Sequence, residues 1–545
     1  MFEELTGPAG PYPLRRETVG GVPMAVFDRA PRTLGEAFAA TREHGDRTAL
    51  VYAGERWTYA DQWSTVTAAA GALRERFGVG PGDRVAIGLR NYPEWVFTFW
   101  AAQLLGAVVV PLNAWHVADE LRPVLEDCRP AVLVADDDRL DRTTDLHAAP
   151  WLRGVVGVRA TPRPGVVQFE ELLEGRPITE PAPATPEDVA TILYTSGTTG
   201  RPKGVLGTHR NHTTTILSMG LRAEAELRQS PTGEAAATLI VFPLFHIAGL
   251  TLLTGNAFRG STIALMYRWD PAAAVRLVRA EGIRDLVGPP TVVAGLLDAA
   301  GGVPLPSLRR LGFGGALAPP RAVAQVAETY GAAVKPSTGY GLTETTSAVV
   351  ALSGPGFVER PTSIGRPLPT VEVRVVDQED RLVRPGEVGE LHVRGPQVAA
   401  GYHGLPAETA AAFRDGWFRT GDLVTVDDDG FLHLAGRQKD VIIRGGENVY
   451  CEELEAVLDG LPGVRESAVL GRPHEVLGEE VCAVVRVGGE APTAADLRAL
   501  LGDRMAAFKV PSTLVLTDRP LPRTATGKIV KAQVRAEFAT ELAGA

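Results

Sequence analysis

An α/β protein of more than one unit is predicted by three observations. Apolar runs of strand length alternate with helical patterns almost throughout the chain, the signature of α/β architecture. At 545 residues the chain exceeds one ordinary domain of about 100–200 residues. Its 45% hydrophobic and 22% charged residues match a protein that buries large cores, which excludes a disordered or coiled-coil chain.

The elements follow in order. Leu34–His44 and Gln62–Phe77 carry helical patterns, and Arg84–Leu89 reads as a strand. Trp95–Leu112 has no charge and approaches the roughly 20 residues of a membrane span. Gln103, Gly106, the β-branched run Val108–Val110 and Pro111 instead predict a buried helix followed by a buried strand. Ala131–Ala135 is a further strand, and the Pro/Glu/Ala-rich passage Pro177–Glu187 is a linker to a new unit. Strands Ala190–Tyr194, Leu239–Pro243 and Asp285–Gly288 and helix Pro271–Glu281 continue the alternation. From Val371, with Val371–Val376 as a strand, the text becomes strand- and turn-rich, a smaller β unit. After Gly436 a fresh α/β pattern runs to the end, with no internal repeat.

The formal net charge of -10 argues against nucleic acid as the main partner. Three separated cysteines (Cys128, Cys451, Cys482) form neither a disulfide framework nor a thiolate zinc site and fit a reducing cytoplasm. The Pro/Gly-rich N-terminus is not a signal peptide, and the C-terminal ELAGA is no retention or peroxisomal signal. The expectation is a soluble cytoplasmic protein without integral membrane contact. Of 55 basic residues only six are lysines: Lys203, Lys335, Lys439, Lys509, Lys528 and Lys531. Where arginine serves as the generic cation, each lysine invites a reason.

The loop Tyr194-Thr-Ser-Gly-Thr-Thr-Gly-Arg-Pro-Lys-Gly204 follows a predicted strand. Thr195, Ser196, Gly197, Thr198, Thr199 and Gly200 offer backbone N–H and hydroxyl groups that can wrap a polyphosphate, and Lys203 adds charge. The spacing is not that of a P-loop. Four more stretches accompany it: Gly339-Tyr-Gly-Leu-Thr-Glu344, Phe418-Arg-Thr-Gly-Asp-Leu423, Gly436-Arg-Gln-Lys-Asp440 and Pro522-Arg-Thr-Ala-Thr-Gly-Lys528. With these five in order, the chain resembles the adenylate-forming (AMP-binding) enzymes from about residue 30 to 532, and among them free-standing acyl-CoA synthetases. The resemblance implies a large N-terminal domain (two α/β sheets plus a small β-barrel-like unit; 1–438) and a small mobile α/β domain (439–545).

It also implies the chemistry: ATP- and Mg²⁺-dependent activation of a carboxylic acid to an acyl-adenylate, then thioester formation with CoA. Gly339 and Gly341 let backbone approach a nucleotide, Tyr340 offers a flat face for adenine, and Thr343 and Gly314-Gly315-Ala316 complete the ATP site. Glu344 is a hard oxygen ligand for magnesium, with Thr195 beside it. Asp422 suits the two ribose hydroxyls, with Arg437 as its companion on ribose or phosphate. Lys528, a compact point charge, bridges substrate carboxylate and α-phosphate. Lys439 is the aligned hinge between half-reactions. Gly445, Gly446 and Glu447 border the pantetheine passage, and residues 503–545, with seven Lys/Arg against four Asp/Glu, favour a polyanion such as CoA.

The resemblance places the acid pocket at Phe242–Leu250, with His246 as a neutral gate and catalytic candidate, and at Gly288, Gly315, Thr338 and Gly339. Phe245-His246 stands where amino-acid-activating relatives carry an aspartate, so an α-amino acid is disfavoured. Small wall residues leave room for an aryl ring or an alkyl chain, fatty or propenoic acids included. Two other readings stay open: adenylation with a non-CoA acceptor or an unusual acid, and a catalytically silent nucleotide-binding relative. His209 and His212, at i and i+3 without a third ligand, are expected in a solvated helix start rather than in a metal site.

Overall fold

In the computed structural model, which describes residues 2–195, 202–229, 237–444, 447–474, 476–488, 492–524 and 527–543, the charge-free stretch resolves into helix Pro93–Leu104 and strand Val108–Pro111. Pro93 presets the first turn, where its missing N–H costs nothing, and Gly106 at φ +66° turns the chain out of the helix. Every residue of this helix is buried, which makes it a core helix. Buried Gln103 finds its acceptor at 3.0 Å on the Ala190 carbonyl and so ties the helix to the strand beyond the linker. No helix among the described residues is long and apolar enough to cross a membrane.

Two sheets organise the first 437 residues. In the first, Val166–Gln168, Gly154–Gly157, Val132–Ala135, Arg84–Gly88, Val108–Pro111 and Val189–Thr195 run parallel, and Lys203–Thr208 folds back antiparallel at the edge. In the second, Thr48–Tyr52, Thr262–Leu265, Ala237–Ile240, Ile283–Gly288, Arg310–Phe313 and Lys335–Leu342 are parallel neighbours. Beyond Lys335–Leu342 the pairing turns antiparallel through Ser347–Ser353 and Ser363–Pro367. The β unit expected from Val371 onward, Glu372–Val376, Gly389–Arg394, Trp417–Val426 and Leu432–Arg437, extends this second sheet instead of forming a separate ladder. Helices His209–Gln229 and Ile247–Phe258 pack against each other and share the largest apolar core.

After the short helical turn Gln438–Asp440 a third sheet begins, with Ile442–Arg444, Glu447–Val449, Val464–His474, Gly478–Val487 and Thr513–Thr517 around their own core. Its face meets helix Pro320–Tyr330, where the Arg321 guanidinium donates to the carbonyls of Val464 and Arg465. The expected linker 177–187 has no regular structure.

Candidate active site

Gly288, Gly314 and Thr338–Gly341 stand at or just beyond the carboxyl ends of three adjacent parallel strands, the place where open α/β sheets bind ligands. The Gly314 N–H donates to the Gly288 carbonyl at 3.0 Å, so the loop 314–316 springs directly from the strand ends. At Gly341 a Cβ would lie 1.8 Å from the Ser347 carbonyl oxygen, so only glycine permits the close pairing with the next strand. A bulge between Tyr340 and Gly341 turns the chain there into the short helical turn Thr343–Thr345, which holds Glu344.

The pair Asp422 and Arg437 is fixed by register. They face each other across the antiparallel strands Trp417–Val426 and Leu432–Arg437, with Arg437 Nε 2.8 Å from Asp422 Oδ1. The register shifts by one between Leu423 and Val424, a bulge that precedes the pair. Tyr340 donates its hydroxyl to Asp422 Oδ2 at 2.6 Å. Burial, then the Asp422 charge, holds the Tyr340 phenol far above its usual pKa, so it stays a donor. The carboxylate is 2% exposed and Arg437 30%, so the acid is withdrawn from water while the cation remains open to a ligand.

Glu344 sits at the second focus. Its Oε1 accepts the Tyr402 hydroxyl at 3.1 Å, and burial raises its pKa. The ring of Tyr402 lies 5.2 Å from Lys203 Nζ, a cation–π contact. Lys203 pairs with Thr195 at the loop end of the hairpin formed by Val189–Thr195 and Lys203–Thr208. Ser196, Gly197, Thr198, Thr199 and Gly200 lie outside the described residues. Tyr402 belongs to none of the five stretches. Residues 399–403 run beside Lys203–Thr208, with the Leu206 N–H donating to the Gly401 carbonyl at 2.9 Å, and this brings Tyr402 between Lys203 and Glu344. No signal in the sequence marked it.

The lysine loop reaches this face from the third sheet. Gly527, at φ +83°, lies against Pro289 and Thr291, 3.0 Å from Pro289 Cβ at the position a Cβ would take. Lys528 remains open to solvent at its tip, and its N–H donates to Thr524 Oγ1 at 3.1 Å. Surrounding protein, then the Arg437 charge, lowers the Lys528 pKa, and Asp422, Glu452 and Asp440 oppose the shift. The ammonium is thus within electrostatic range of the Asp422–Arg437 pair.

His246 caps helix Ile247–Phe258, its Nδ1 accepting the Ala248 N–H at 3.2 Å while its ring stacks on Phe242 at 6.1 Å. Burial lowers its pKa to about 4, so at neutral pH the imidazole is uncharged. Phe242 faces the site where Gly314 would carry a side chain, and Asn91 holds the segment from below. Its Nδ2 donates to the Phe242 carbonyl at 3.0 Å, and its Oδ1 accepts the Leu244 N–H at 2.9 Å. Asn91, like Tyr402, was not singled out by sequence. Thr338 is buried within its strand, while Gly315 and Ala316 are exposed.

Three expectations need amendment. His209 and His212 are not solvated. His209 Nδ1 accepts the Leu34 N–H at 3.1 Å, His212 Nε2 meets Thr191 Oγ1 at 2.8 Å, and burial pushes their pKa values down to about 4 and about 3. They are core imidazoles that tie helix His209–Gln229 to helix Leu34–Ala40 and to the first sheet. Lys509 and Lys531, two of the six lysines that invite a reason, are engaged by Glu453 at 2.7 Å and Glu455 at 2.9 Å on helix Cys451–Asp459. Lys335, without an evident role in sequence, donates to the Glu226 carbonyl at 3.2 Å. Of the passage 445–447, Gly445 and Gly446 lie outside the described residues and Glu447 is exposed; Lys439 lies in the turn between the second and third sheets.

A magnesium ion would fit this donor set. No group of three His, Cys, Asp or Glu gathers among the described residues, so a bound ion would rely on Glu344 and on the phosphates of its ligand.

Residues 37–403 match the AMP-binding enzyme model, and residues 453–528 match that of the AMP-binding enzyme C-terminal domain. Among relatives, a feruloyl-CoA synthase of Amycolatopsis sp is 36% identical over 90% of this chain and 96% of its own. Two solved structures are similar. The o-succinylbenzoate CoA synthetase of Bacillus subtilis with ATP and magnesium has TM-score 0.78, 30% identity and coverage of 92% of this chain and 99% of that one. An anthranilate CoA ligase with anthranoyl-AMP has TM-score 0.84, 26% identity and coverage of 94% and 98%. With the strand-end cleft, the Asp422–Arg437 pair and a family match over most of its length, this chain belongs to the AMP-binding enzymes.

Proposed function

We propose that this protein is an AMP-forming acid–CoA ligase acting on an aryl or aryl-propenoic acid, in two steps. The carboxylate first attacks the α-phosphorus of ATP and releases pyrophosphate. The CoA thiolate then attacks the acyl carbon and AMP leaves. The acid class is carried over from relatives that act on ferulate-type, succinylbenzoate and anthranilate acids.

The observation that supports this reading most is the convergence of Lys528 and the Asp422–Arg437–Tyr340 group on one cleft, although they come from two different sheets. Asp422 accepts the ribose hydroxyls, and Arg437 turns its open face to ribose or phosphate. Tyr340 lies under the base. Glu344, with Thr195 at the hairpin end, would hold magnesium, which would supply positive charge against the phosphates. Tyr402 orients the Glu344 carboxylate and packs under Lys203. Lys528 stays cationic between the attacking carboxylate and the α-phosphate and stabilises the charge that shifts between them. Neutral His246 and the small residues Gly288, Gly315, Thr338 and Gly339 line the path of the acid. Residues 1–438 form the adenylating body and 439–545 the mobile unit, turning at Lys439 so that Gly445–Glu447 borders the thiol passage in the second step.

The test is ATP–pyrophosphate exchange and AMP release over a panel of aryl, propenoic and fatty acids, with and without CoA. CoA-dependent AMP release with an aryl acid supports the reading. Exchange without any CoA-dependent release points to another acceptor, and no exchange with any acid points to a silent relative.

A further inference from the structure

Beneath the strand ends, helix His209–Gln229 presents one face to the second sheet. Along that face Thr215 donates its hydroxyl to the Thr346 carbonyl at 3.0 Å. One turn later comes the Ser218 hydroxyl, 3% exposed and without a hydrogen-bond partner. Four residues on comes Arg222, whose Nη1 lies 4.0 Å from the position a Cβ on Gly339 would take. On the reading above Gly339 is a wall residue of the acid pocket, and the guanidinium lies beside that wall.

Arg222 has charged neighbours, and they are otherwise engaged. Arg259 donates to the Met219 carbonyl at 3.2 Å and to Asn256 Oδ1 at 2.8 Å. Arg310 lies 3.3 Å from Asp285 and 3.7 Å from Glu226, and Lys335 donates to the Glu226 carbonyl. Arg222 makes no hydrogen bond or ion pair among the described residues, although Glu226 is one turn away on its own helix. The group holds four cations (Arg222, Arg259, Arg310, Lys335) and two carboxylates (Glu226, Asp285), an excess of two positive charges among partly buried side chains. The protein around Arg222 lowers its pKa, although the side chain is only partly buried. A partly buried guanidinium without a protein partner is free to take a ligand, and an anion with two oxygens in its plane is the partner it fits best.

We propose that Arg222, with Ser218, recognises a second carboxylate on the acid, so that the substrate class is a dicarboxylic acid activated at the carboxyl nearer Lys528. This rests on the acid–CoA ligase reading above and narrows its substrate. Small Gly339 gives the distal carboxylate access to the guanidinium, and the positive excess behind Arg222 favours the charged form over a neutral phenol or methyl of the same size.

The experiment uses the full chain and matched acids: 3-(4-carboxyphenyl)propenoate against 3-phenylpropenoate and 3-(4-hydroxyphenyl)propenoate, and nonanedioate against nonanoate. The wild type should favour the diacid in kcat/KM of pyrophosphate exchange by roughly 10–100-fold, the range of a charged hydrogen-bonded contact. Arg222→Met should erase or invert that preference, while Arg222→Lys should keep part of it. A thermal shift by each acid, read without ATP or CoA, should show stabilisation by diacids that Arg222→Met removes. Preference for the monoacid or the phenol in wild type, or an unchanged ratio in a folded Arg222→Met, overturns the proposal. Diacid-specific exchange without CoA-dependent AMP release would break the acceptor reading and leave this one standing. Neither exchange nor a diacid-specific shift would overturn it.

Discussion

Asp422–Arg437 and Lys528 meet at one cleft but are held there by opposite means. The pair is built into a continuous sheet, its partners opposed by strand register and braced by Tyr340 at 2.6 Å. Lys528 sits on a loop of the third sheet and reaches the pair only because that sheet docks through Gly527 on Pro289 and Arg321 on Val464 and Arg465. The first part is ready wherever the sheet folds, whereas the second depends on domain orientation. The proposed two-step reaction would use both kinds, a fixed nucleotide seat and a catalytic charge that can leave.

The sharpest break of this contrast is Lys528→Ala. It should lower pyrophosphate exchange by roughly 10²–10³-fold, the scale of losing one preorganised charge, with the melting temperature unchanged. Lys528→Arg should also lose most of the exchange, since a planar fork does not replace a point charge. Near-wild-type exchange in either would show that the loop is a surface feature. Next comes Asp422→Ala, expected to cost about 10–100-fold in kcat/KM for ATP and also some stability, because Tyr340 and Arg437 lose their shared acceptor. If stability stays while ATP affinity falls, the pair is less structural than its register implies.

Lys439→Pro addresses the movable half alone. It should spare exchange and slow thioester formation from preformed acyl-adenylate by about tenfold, and equal loss of both steps would move the hinge elsewhere. The smallest effect lies in pH. Asp459, the last residue of helix Cys451–Asp459, accepts a hydrogen bond from Ser467 Oγ on the third sheet at 2.8 Å, and desolvation by the surrounding protein raises its pKa to about 7. The folded form therefore binds this proton more tightly than the unfolded chain does. Its contribution favours the fold in acid and falls as pH rises from about 4 to about 7, by at most roughly 1.4 kcal/mol per pH unit. Asp459→Asn should flatten that slope in denaturant titrations and leave exchange at pH 8 unchanged.

Much of this was legible in the chain because strands and motifs coincide. The hydroxyl-rich loop follows a strand as expected, and Asp422 and Arg437 were paired as companions by resemblance, although the Thr-Gly-Asp segment lies inside strand Trp417–Val426 and faces the arginine across a ladder. Tyr402 was not legible, since its place depends on residues 399–403 running beside a strand some two hundred positions earlier, which local pattern does not encode. Arg222 was hidden for a compositional reason. Among 49 arginines nothing distinguishes one whose neighbours are already engaged. The lysine count misled in part, since Lys509 and Lys531 hold a helix of the third sheet together. The two histidines misled because a helix start can be interior when the strand before it is.

The bulge near Leu423 has a consequence for how this chain tolerates change. Near their turn the two strands pair Val426 with Leu432, Thr425 with His433 and Val424 with Leu434. Continued without interruption, that count would set Gly436 across from Asp422 and send the Arg437 side chain to the other side of the sheet. The single extra residue at Ala435 is what delivers the arginine. Loss of that one alanine, whose own methyl need contact no ligand, would disarm the nucleotide seat as fully as mutating the arginine itself. On the proposed reading, insertions and deletions between residues 423 and 436 would therefore be lesions of the active centre, even though this connection passes through an exposed turn.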